Sequence, residues 1–187
     1  MVVAKSRGVV PAPGETFERR SPLRVALLGA TGSIGRQTVD VVRSHPDKVE
    51  LVALAANRSA EALVALAREF PTVRRIALAD ASCRDLPCMG DLPAGCTASF
   101  GREAVDELAE LEGVDCVLNA LVGFSGMRAS YRALASGREL ALANKESLVV
   151  AGDLIMPLAR PGKLVPVDSE HSAIFQCFLG EDPWRAR

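Results

Sequence analysis

Short apolar runs alternate with amphipathic stretches along most of the chain. A short apolar run bounded by turn residues predicts a buried strand, and apolar residues spaced three or four apart predict a helix. The predicted strands are 25–28, 49–55, 75–79, 96–100, 114–118, 139–143 and 163–167, and the predicted helices are 34–43, 60–70, 102–111, 127–136 and 145–159. This alternation predicts an α/β fold with a doubly wound parallel sheet.

Two segments fall outside the alternation. Residues 1–22 combine several prolines with scattered charges and lack a hydrophobic core, so we expect a mobile N-terminal arm. Residues 80–95 are rich in Pro and Gly, and we expect an irregular surface excursion without a chemical role.

Composition narrows the classes of function. The net charge of −1 gives no electrostatic basis for binding nucleic acid or an anionic membrane, and an aromatic content of 4% argues against stacking platforms for bases. Five cysteines, an odd number without a Cys-x-x-Cys pair, predict neither a disulfide framework nor a zinc site. We therefore expect reduced thiols and a cytoplasmic protein.

A glycine-rich turn follows the first predicted strand. Residues 29–35 have the spacing Gly-x-x-Gly-x-x-Gly, and Thr31 and Ser33 add hydroxyl donors. Glycines permit close backbone approach, and the N-terminus of the next helix offers free N–H groups to a pyrophosphate. The pattern predicts a dinucleotide-binding βαβ unit. An ordinary strand-to-helix turn is the alternative.

The end of the second predicted strand indicates which dinucleotide binds. NAD sites commonly place an acid there for the ribose 2′-hydroxyl, but this junction carries Asn57, Arg58 and Ser59. A guanidinium suits a 2′-phosphate, so we expect NADP. Alternatively, Arg58 is a solvated residue at the start of a helix.

Two polar clusters follow later strands. Asn144, Lys145 and Glu146 open a predicted helix, where Lys145 would reach an anionic or carbonyl substrate; a helix cap with a solvated lysine is the alternative. Asp168 and Glu170 follow the last predicted strand and can converge on one hard cation, Mg²⁺ or Mn²⁺. The alternative is an Asp N-cap with Glu in the first helical turn.

Three segments together, 29–35, 143–149 and 166–176, resemble in order and spacing those of the 1-deoxy-D-xylulose 5-phosphate reductoisomerase family. The resemblance implies a Rossmann-like NADP-binding domain at 23–164 and the start of a truncated catalytic domain at 165–187. It also implies NADPH, a divalent metal and a sugar phosphate substrate. The implied reaction converts 1-deoxy-D-xylulose 5-phosphate to 2-C-methyl-D-erythritol 4-phosphate in the non-mevalonate isoprenoid pathway.

The resemblance also implies roles for individual residues. Those implied to hold the cofactor are Thr31, Gly32, Ser33, Ile34, Asn57, Arg58, Ser59, Asn144 and Glu146. Lys145, Ser169 and Glu170 would contact the substrate, with Lys145 and Glu170 as catalytic residues. Asp168 and Glu170 would be metal ligands.

Family members continue beyond this point with a mobile lid, phosphate-binding groups and a third metal carboxylate. We therefore expect a fragment or truncated product with negligible turnover by itself. The resemblance implies a homodimer, and a non-catalytic NADP-binding remnant or dimerisation module is the alternative.

Two other enzyme classes share parts of the pattern. Extended short-chain reductases need a Tyr-x-x-x-Lys pair, but Ala135 stands four residues after Tyr131, the only tyrosine. Semialdehyde dehydrogenases need a nucleophilic cysteine, but Cys116 lies in an apolar predicted strand, where a small core residue is expected.

Overall fold

The computed structural model describes residues 21–179, so the predicted arm lies outside them except for its last two residues. The strands are β1 (Leu23–Leu28), β2 (Val49–Ala56), β3 (Arg75–Leu78), β4 (Thr97–Phe100), β5 (Cys116–Asn119), β6 (Glu139–Leu142) and β7 (Leu164–Pro166). The helices are α1 (Ser33–Ser44), α2 (Ala60–Glu69), α3 (Arg102–Glu107), α4 (Met127–Ala135), α5 (Glu146–Ile155) and α6 (Ser169–Phe178).

All the strand pairs are parallel, and the sheet has the order β4-β3-β2-β1-β5-β6-β7. The chain therefore builds outward from β1 in one direction and from β5 in the other, which confirms the predicted doubly wound sheet. Ligands of such sheets bind outside the carboxyl ends of the strands, where the direction of winding reverses. Here that point lies between β1 and β5.

Each face of the sheet carries its own hydrophobic core. Val39 and Val42 of α1 and Leu63 of α2 pack on one face. Leu134 of α4 and Ile155 of α5 pack on the other. Because helices cover both faces, the central strands are apolar almost throughout, and β1 has the burial expected of a strand covered on both sides.

Two predicted helices are shorter than their apolar patterns indicate. The helix predicted at 102–111 ends at Glu107 and continues as a 3₁₀ turn, Leu108–Glu110. The helix predicted at 145–159 is interrupted at Ala151 and ends at Ile155, before a 3₁₀ turn that contains Pro157. Proline lacks an N–H and crowds the preceding turn, so the α-helix cannot continue through it.

The segment 80–95 contains two short 3₁₀ turns, Ala81–Asp85 and Pro87–Asp91. At the other end of the chain, β7 pairs with β6 from Leu164 to Pro166. The sheet thus continues across residue 164, the domain boundary that the resemblance implies. Within residues 21–179, no helix is long and apolar enough to cross a membrane.

Candidate functional site

The glycine loop lies at the carboxyl end of β1, where two of its glycines allow close backbone packing. Gly29 has a φ of +87°, and a Cβ there would lie 2.6 Å from the carbonyl oxygen of Ala120. A Cβ on Gly35 would lie 2.2 Å from the carbonyl oxygen of Gly29. The first contact brings the loop against the chain that leaves β5, and the second brings α1 against the loop.

The N-terminus of α1 is open to an anion. Its N-cap, Gly32, has no side chain to accept from the first N–H groups, and the first turn carries no acid. By contrast, α2, α3, α5 and α6 each carry a glutamate in the first turn. Thr31, Ser33 and Ile34 are at least partly exposed around this terminus. The arrangement suits a pyrophosphate, whose charge would complement the free N–H groups and the helix dipole.

A cleft of about 390 Å³ opens at the point where the winding of the sheet reverses. Its walls are the glycine loop, the ends of β2 and β3, the chain after β5 and one side of α3. The residues that line it are Gly29, Thr31, Gly32, Ala56, Asn57, Ala79, Arg102, Val105, Asp106, Ala120, Leu121, Val122, Phe124, Ser125 and Arg128.

The three residues predicted to bind the adenosine end, Asn57, Arg58 and Ser59, are exposed just beyond β2. Arg58 is not simply solvated, because its Nε donates to Oδ2 of Asp80 at 2.5 Å. Asp80 follows β3, the neighbouring strand. Sequence analysis gave the segment that begins at Asp80 no chemical role, and it therefore missed this contact.

Asn144 follows β6 and is almost fully buried. Its Nδ2 donates to the carbonyl oxygens of Leu121 and Gly123 at 2.5 and 2.9 Å. Its Oδ1 accepts from the N–H and the hydroxyl of Ser147. Asn144 therefore caps the start of α5, as the alternative interpretation holds. With its side chain fully engaged inside the protein, Asn144 holds the loop after β5 against α5, and its cofactor contact stays a prediction.

The predicted substrate and metal residues lie together at the far edge of the sheet. Lys145, exposed before α5, and Asp168, after β7, line one apolar groove of about 460 Å³. We call it the α5–β7 groove. Hydrogen bonding from Ser169 is the main cause of a lowered Glu170 pKa; nearby Lys145 also lowers this pKa, whereas Asp168 raises it. Glu146 is exposed in the first turn of α5.

Asp168 caps α6, as the alternative interpretation holds. Its Oδ1 accepts from the N–H of His171 at 2.5 Å, and its Oδ2 lies 2.6 Å from Nδ1 of the same residue. Burial raises the pKa of Asp168, but the hydrogen bonds from His171 outweigh it, so the pKa is lowered. Among residues 21–179, no three His, Cys, Asp or Glu side chains form a group that could hold a metal. At this place the described residues offer two candidate carboxylate ligands for a metal, Asp168 and Glu170.

Sequence analysis missed three charged residues of the cleft wall, two on α3 and one on α4. Arg128 of α4 and the buried Asp106 of α3 approach each other, with 3.5 Å between Nε and Oδ2. Arg102 lies on the same wall. No signal in the sequence marked these residues, because α3 is short and reads as an ordinary amphipathic helix.

Asp106→Asn is expected to raise the stability of the chain at neutral pH by about 1 kcal/mol, since a weakly paired buried charge is costly. Burial raises the pKa of Asp106 above 3.8. The stabilising contribution of the protonated form is complete below the unfolded pKa and is lost as pH rises through the folded pKa. Urea unfolding should therefore show the advantage of Asp106→Asn shrinking as pH falls toward 3.8.

The matched control is Glu107→Gln, which removes an exposed charge from the next position of α3. This variant should leave stability nearly unchanged. A less stable Asp106→Asn at neutral pH would show that attraction by Arg128 outweighs the cost of burial.

The parallel sheet, the glycine loop and the open helix terminus define a Rossmann-like α/β domain. Residues 25–152 match the family model described as 1-deoxy-D-xylulose 5-phosphate reductoisomerase. The chain belongs to this family. It is 48% identical over 161 residues to the reductoisomerase of Mycobacterium marinum, covering 86% of this chain and 38% of that protein. It is 45% identical over 170 residues to that of Bacteroides thetaiotaomicron, covering 89% of this chain and 43% of that protein.

Solved structures give the same result. The reductoisomerase from Zymomonas mobilis in complex with NADPH superposes with a TM-score of 0.76 at 40% identity, covering 84% of this chain and 41% of that one. A reductoisomerase in complex with NADPH, fosmidomycin and magnesium gives 0.73 at 38% identity, covering 83% and 38%. The chain thus spans about two fifths of the length of the relatives it matches.

Proposed function

We propose that this chain is the NADPH-binding portion of a reductoisomerase that converts 1-deoxy-D-xylulose 5-phosphate to 2-C-methyl-D-erythritol 4-phosphate. The observation that carries the proposal is the uncapped, acid-free N-terminus of α1 beside the cleft at the winding reversal, in a chain of this family. Solved relatives in complex with NADPH support the choice of cofactor.

The residues present fit the dinucleotide. The glycine loop leaves no side chain between the backbone and a pyrophosphate at Gly32, and Thr31, Ser33 and Ile34 surround the same terminus. Arg58 would hold the 2′-phosphate, flanked by Asn57 and Ser59. Asn144 and Glu146 would contact the cofactor at the end of β6. Asn144 also fixes the loop after β5.

Asp168 and Glu170 are carboxylates of the kind that a divalent cation prefers, and both oxygens of Asp168 also contact His171 in this structure. Mg²⁺ is commonly bound through one or two carboxylates, with water and substrate oxygens completing the shell. We propose that Asp168 and Glu170 are those ligands, and that Ser169 and Lys145 contact the substrate. Lys145 would stabilise negative charge that develops on a substrate oxygen. When bound, the cation would supply Lewis acidity and the nicotinamide would supply hydride.

We further propose the division into a dinucleotide-binding unit at 23–164 and the start of a catalytic unit at 165–187. The chain spans about two fifths of its relatives' length, so the reaction is proposed for the whole enzyme. A homodimer is proposed because the chain belongs to this family. A dimerisation module that only binds NADP is the second candidate, favoured by exposed apolar side chains such as Val149 and Leu154. Metal-dependent NADPH oxidation with the ketose phosphate would exclude it.

The preference for NADPH tests the proposal. Calorimetric titration should show tighter binding of NADPH than of NADH. Arg58→Ala should weaken NADPH binding by about tenfold or more, because a charge-assisted hydrogen bond to phosphate is lost. NADH binding should hardly change.

The matched control for this titration is Arg68→Ala, which removes an exposed arginine from the last turn of α2. This variant should bind both dinucleotides like the wild-type chain. Equal affinity of the wild-type chain for NADPH and NADH would contradict the proposed role of Arg58, and binding of neither would contradict the proposed function.

A further inference from the structure

The loops that follow β2 and β3 are joined to each other at the edge of the cleft. The backbone N–H of Ala79 donates to the carbonyl of Ala56 at 3.0 Å, and that of Asp80 donates to the carbonyl of Asn57 at 3.1 Å. Beside these bonds, Nε of Arg58 donates to Oδ2 of Asp80. The ion pair therefore joins two loops whose backbones are already hydrogen-bonded to each other.

The carboxylate of Asp80 is itself held in place. Its Oδ1 accepts from the N–H of Ser82 at 2.9 Å and from the hydroxyl of Ser82 at 2.7 Å. Hydrogen bonds from the Ser82 hydroxyl and N–H, and then from Arg58, lower the pKa of Asp80 to about 2. Asp80 is therefore ionised at physiological pH, and hydrogen bonds to both of its oxygens orient the carboxylate.

The engaged nitrogen leaves the other end of the guanidinium available. Arg58 is 78% exposed, whereas the Asp80 side chain is 21% exposed. Within the part of the chain that the structure describes, the hydrogen bonds of Arg58's side chain involve Nε and not the two terminal nitrogens. Those nitrogens form a planar pair that matches two oxygens of a phosphate.

We propose that Asp80 is a positioning residue that sets the preference for the phosphorylated dinucleotide. By holding Nε of Arg58, it directs the terminal nitrogens toward the position of the 2′-phosphate. The inference rests on the proposed function, because it requires NADPH to bind with its adenosine end beside Arg58. It goes further by assigning a role to the segment after β3.

Alternatively, Asp80 could favour NAD, as the acid that binds the ribose 2′-hydroxyl in NAD sites. The geometry argues against this role, because Oδ1 is engaged by Ser82 and Oδ2 by Arg58. Repulsion between Asp80 and a phosphate is screened at this exposed edge by solvent and salt. Orienting a long, flexible side chain in advance lowers the entropic cost of binding, and this effect prevails.

The test compares Asp80→Ala and Asp80→Asn with the wild-type 187-residue chain by calorimetric titration with NADPH and NADH. Asp80→Ala should weaken NADPH binding by about fivefold, the upper end for an exposed ion pair, and leave NADH binding unchanged. Asp80→Asn keeps an uncharged acceptor, so its loss should be smaller. In an Arg58→Ala background, Asp80→Ala should have no further effect on the ratio of the two affinities.

The matched control is Asp85→Asn, which removes the same charge from an exposed position at the end of the 3₁₀ turn that follows Asp80. It should leave both affinities unchanged, and thermal melts should show that all variants are folded. Equal losses of NADPH and NADH binding in Asp80→Ala would indicate a merely structural residue and overturn the inference. Tighter NADPH binding would also overturn it, because repulsion would then dominate.

The wild-type titration separates this inference from the proposed function. If the wild-type chain binds neither dinucleotide, the proposed function fails, and the inference fails with it. If the wild-type chain prefers NADPH and the Asp80 variants retain that preference, only the inference fails.

Discussion

Gly35→Ala is expected to destabilise the chain by about 3 kcal/mol or more and to abolish dinucleotide binding. The added Cβ would lie 2.2 Å from the carbonyl oxygen of Gly29 and 2.6 Å from the carbonyl carbon and oxygen of Ala30. All these atoms belong to the backbone, so no side-chain rotation relieves the overlap. Either α1 or the glycine loop must move, and both form the proposed pyrophosphate site.

Urea unfolding and NADPH titration measure the two effects of Gly35→Ala. Gly90→Ala is the matched control, because a Cβ at Gly90 meets no atom of residues 21–179 within 4 Å. Gly32→Ala should fall between them, since its Cβ would approach a single atom, the carbonyl oxygen of Gly29, at 3.3 Å. A Gly35→Ala variant as stable as Gly90→Ala would contradict the close packing of α1 against the loop.

Asn119→Ala is expected to cost about 2–4 kcal/mol, because several buried polar groups lose their partner together. Nδ2 of Asn119 donates to the carbonyl of Gly126 at 2.7 Å and to the hydroxyl of Ser130 at 2.8 Å. Its Oδ1 accepts from the N–H of Leu121 at 3.2 Å. Asn144 holds the same loop through the carbonyls of Leu121 and Gly123, so the position of the loop depends on two buried amides.

Hydrogen exchange of the Leu121 amide, together with urea unfolding, measures this effect. Ser125→Ala is the control in the same loop, because the exposed hydroxyl of Ser125 makes a local bond to the carbonyl of Val122. It should cost well under 1 kcal/mol, as exposed substitutions usually do. If Asn119→Ala matches Ser125→Ala in stability and in exchange rate, the loop is held by other contacts.

The fold could be predicted because its signals are local. Most strands are short apolar runs and the main helices have an apolar stripe, so the alternation alone indicates the parallel sheet. The glycine loop is equally local, because spacing and neighbouring elements determine its place at the end of β1. The interruption of α5 at Ala151 was missed because the apolar pattern continues across it up to Pro157.

Side-chain contacts between the loops that follow different strands could not be predicted. Arg58 and Asp80 lie 22 residues apart and follow different strands, so only the sheet brings them together. For Asn144, the local capping bond to Ser147 could be read from the sequence, whereas its bonds to Leu121 and Gly123 depend on the pairing of β5 with β6. Polar side chains at the ends of neighbouring strands are thus where sequence reasoning is weakest.

The central claim is that NADPH binds with its pyrophosphate at the N-terminus of α1 and its 2′-phosphate at Arg58. Titration of the isotope-labelled chain, followed by amide and arginine chemical shifts, tests this claim most directly. NADPH should shift the amides of Gly32, Ser33 and Ile34 and the side chain of Arg58, whereas NADH should shift only the amides. Unchanged amides in the glycine loop, or shifts confined to the α5–β7 groove, would contradict the account.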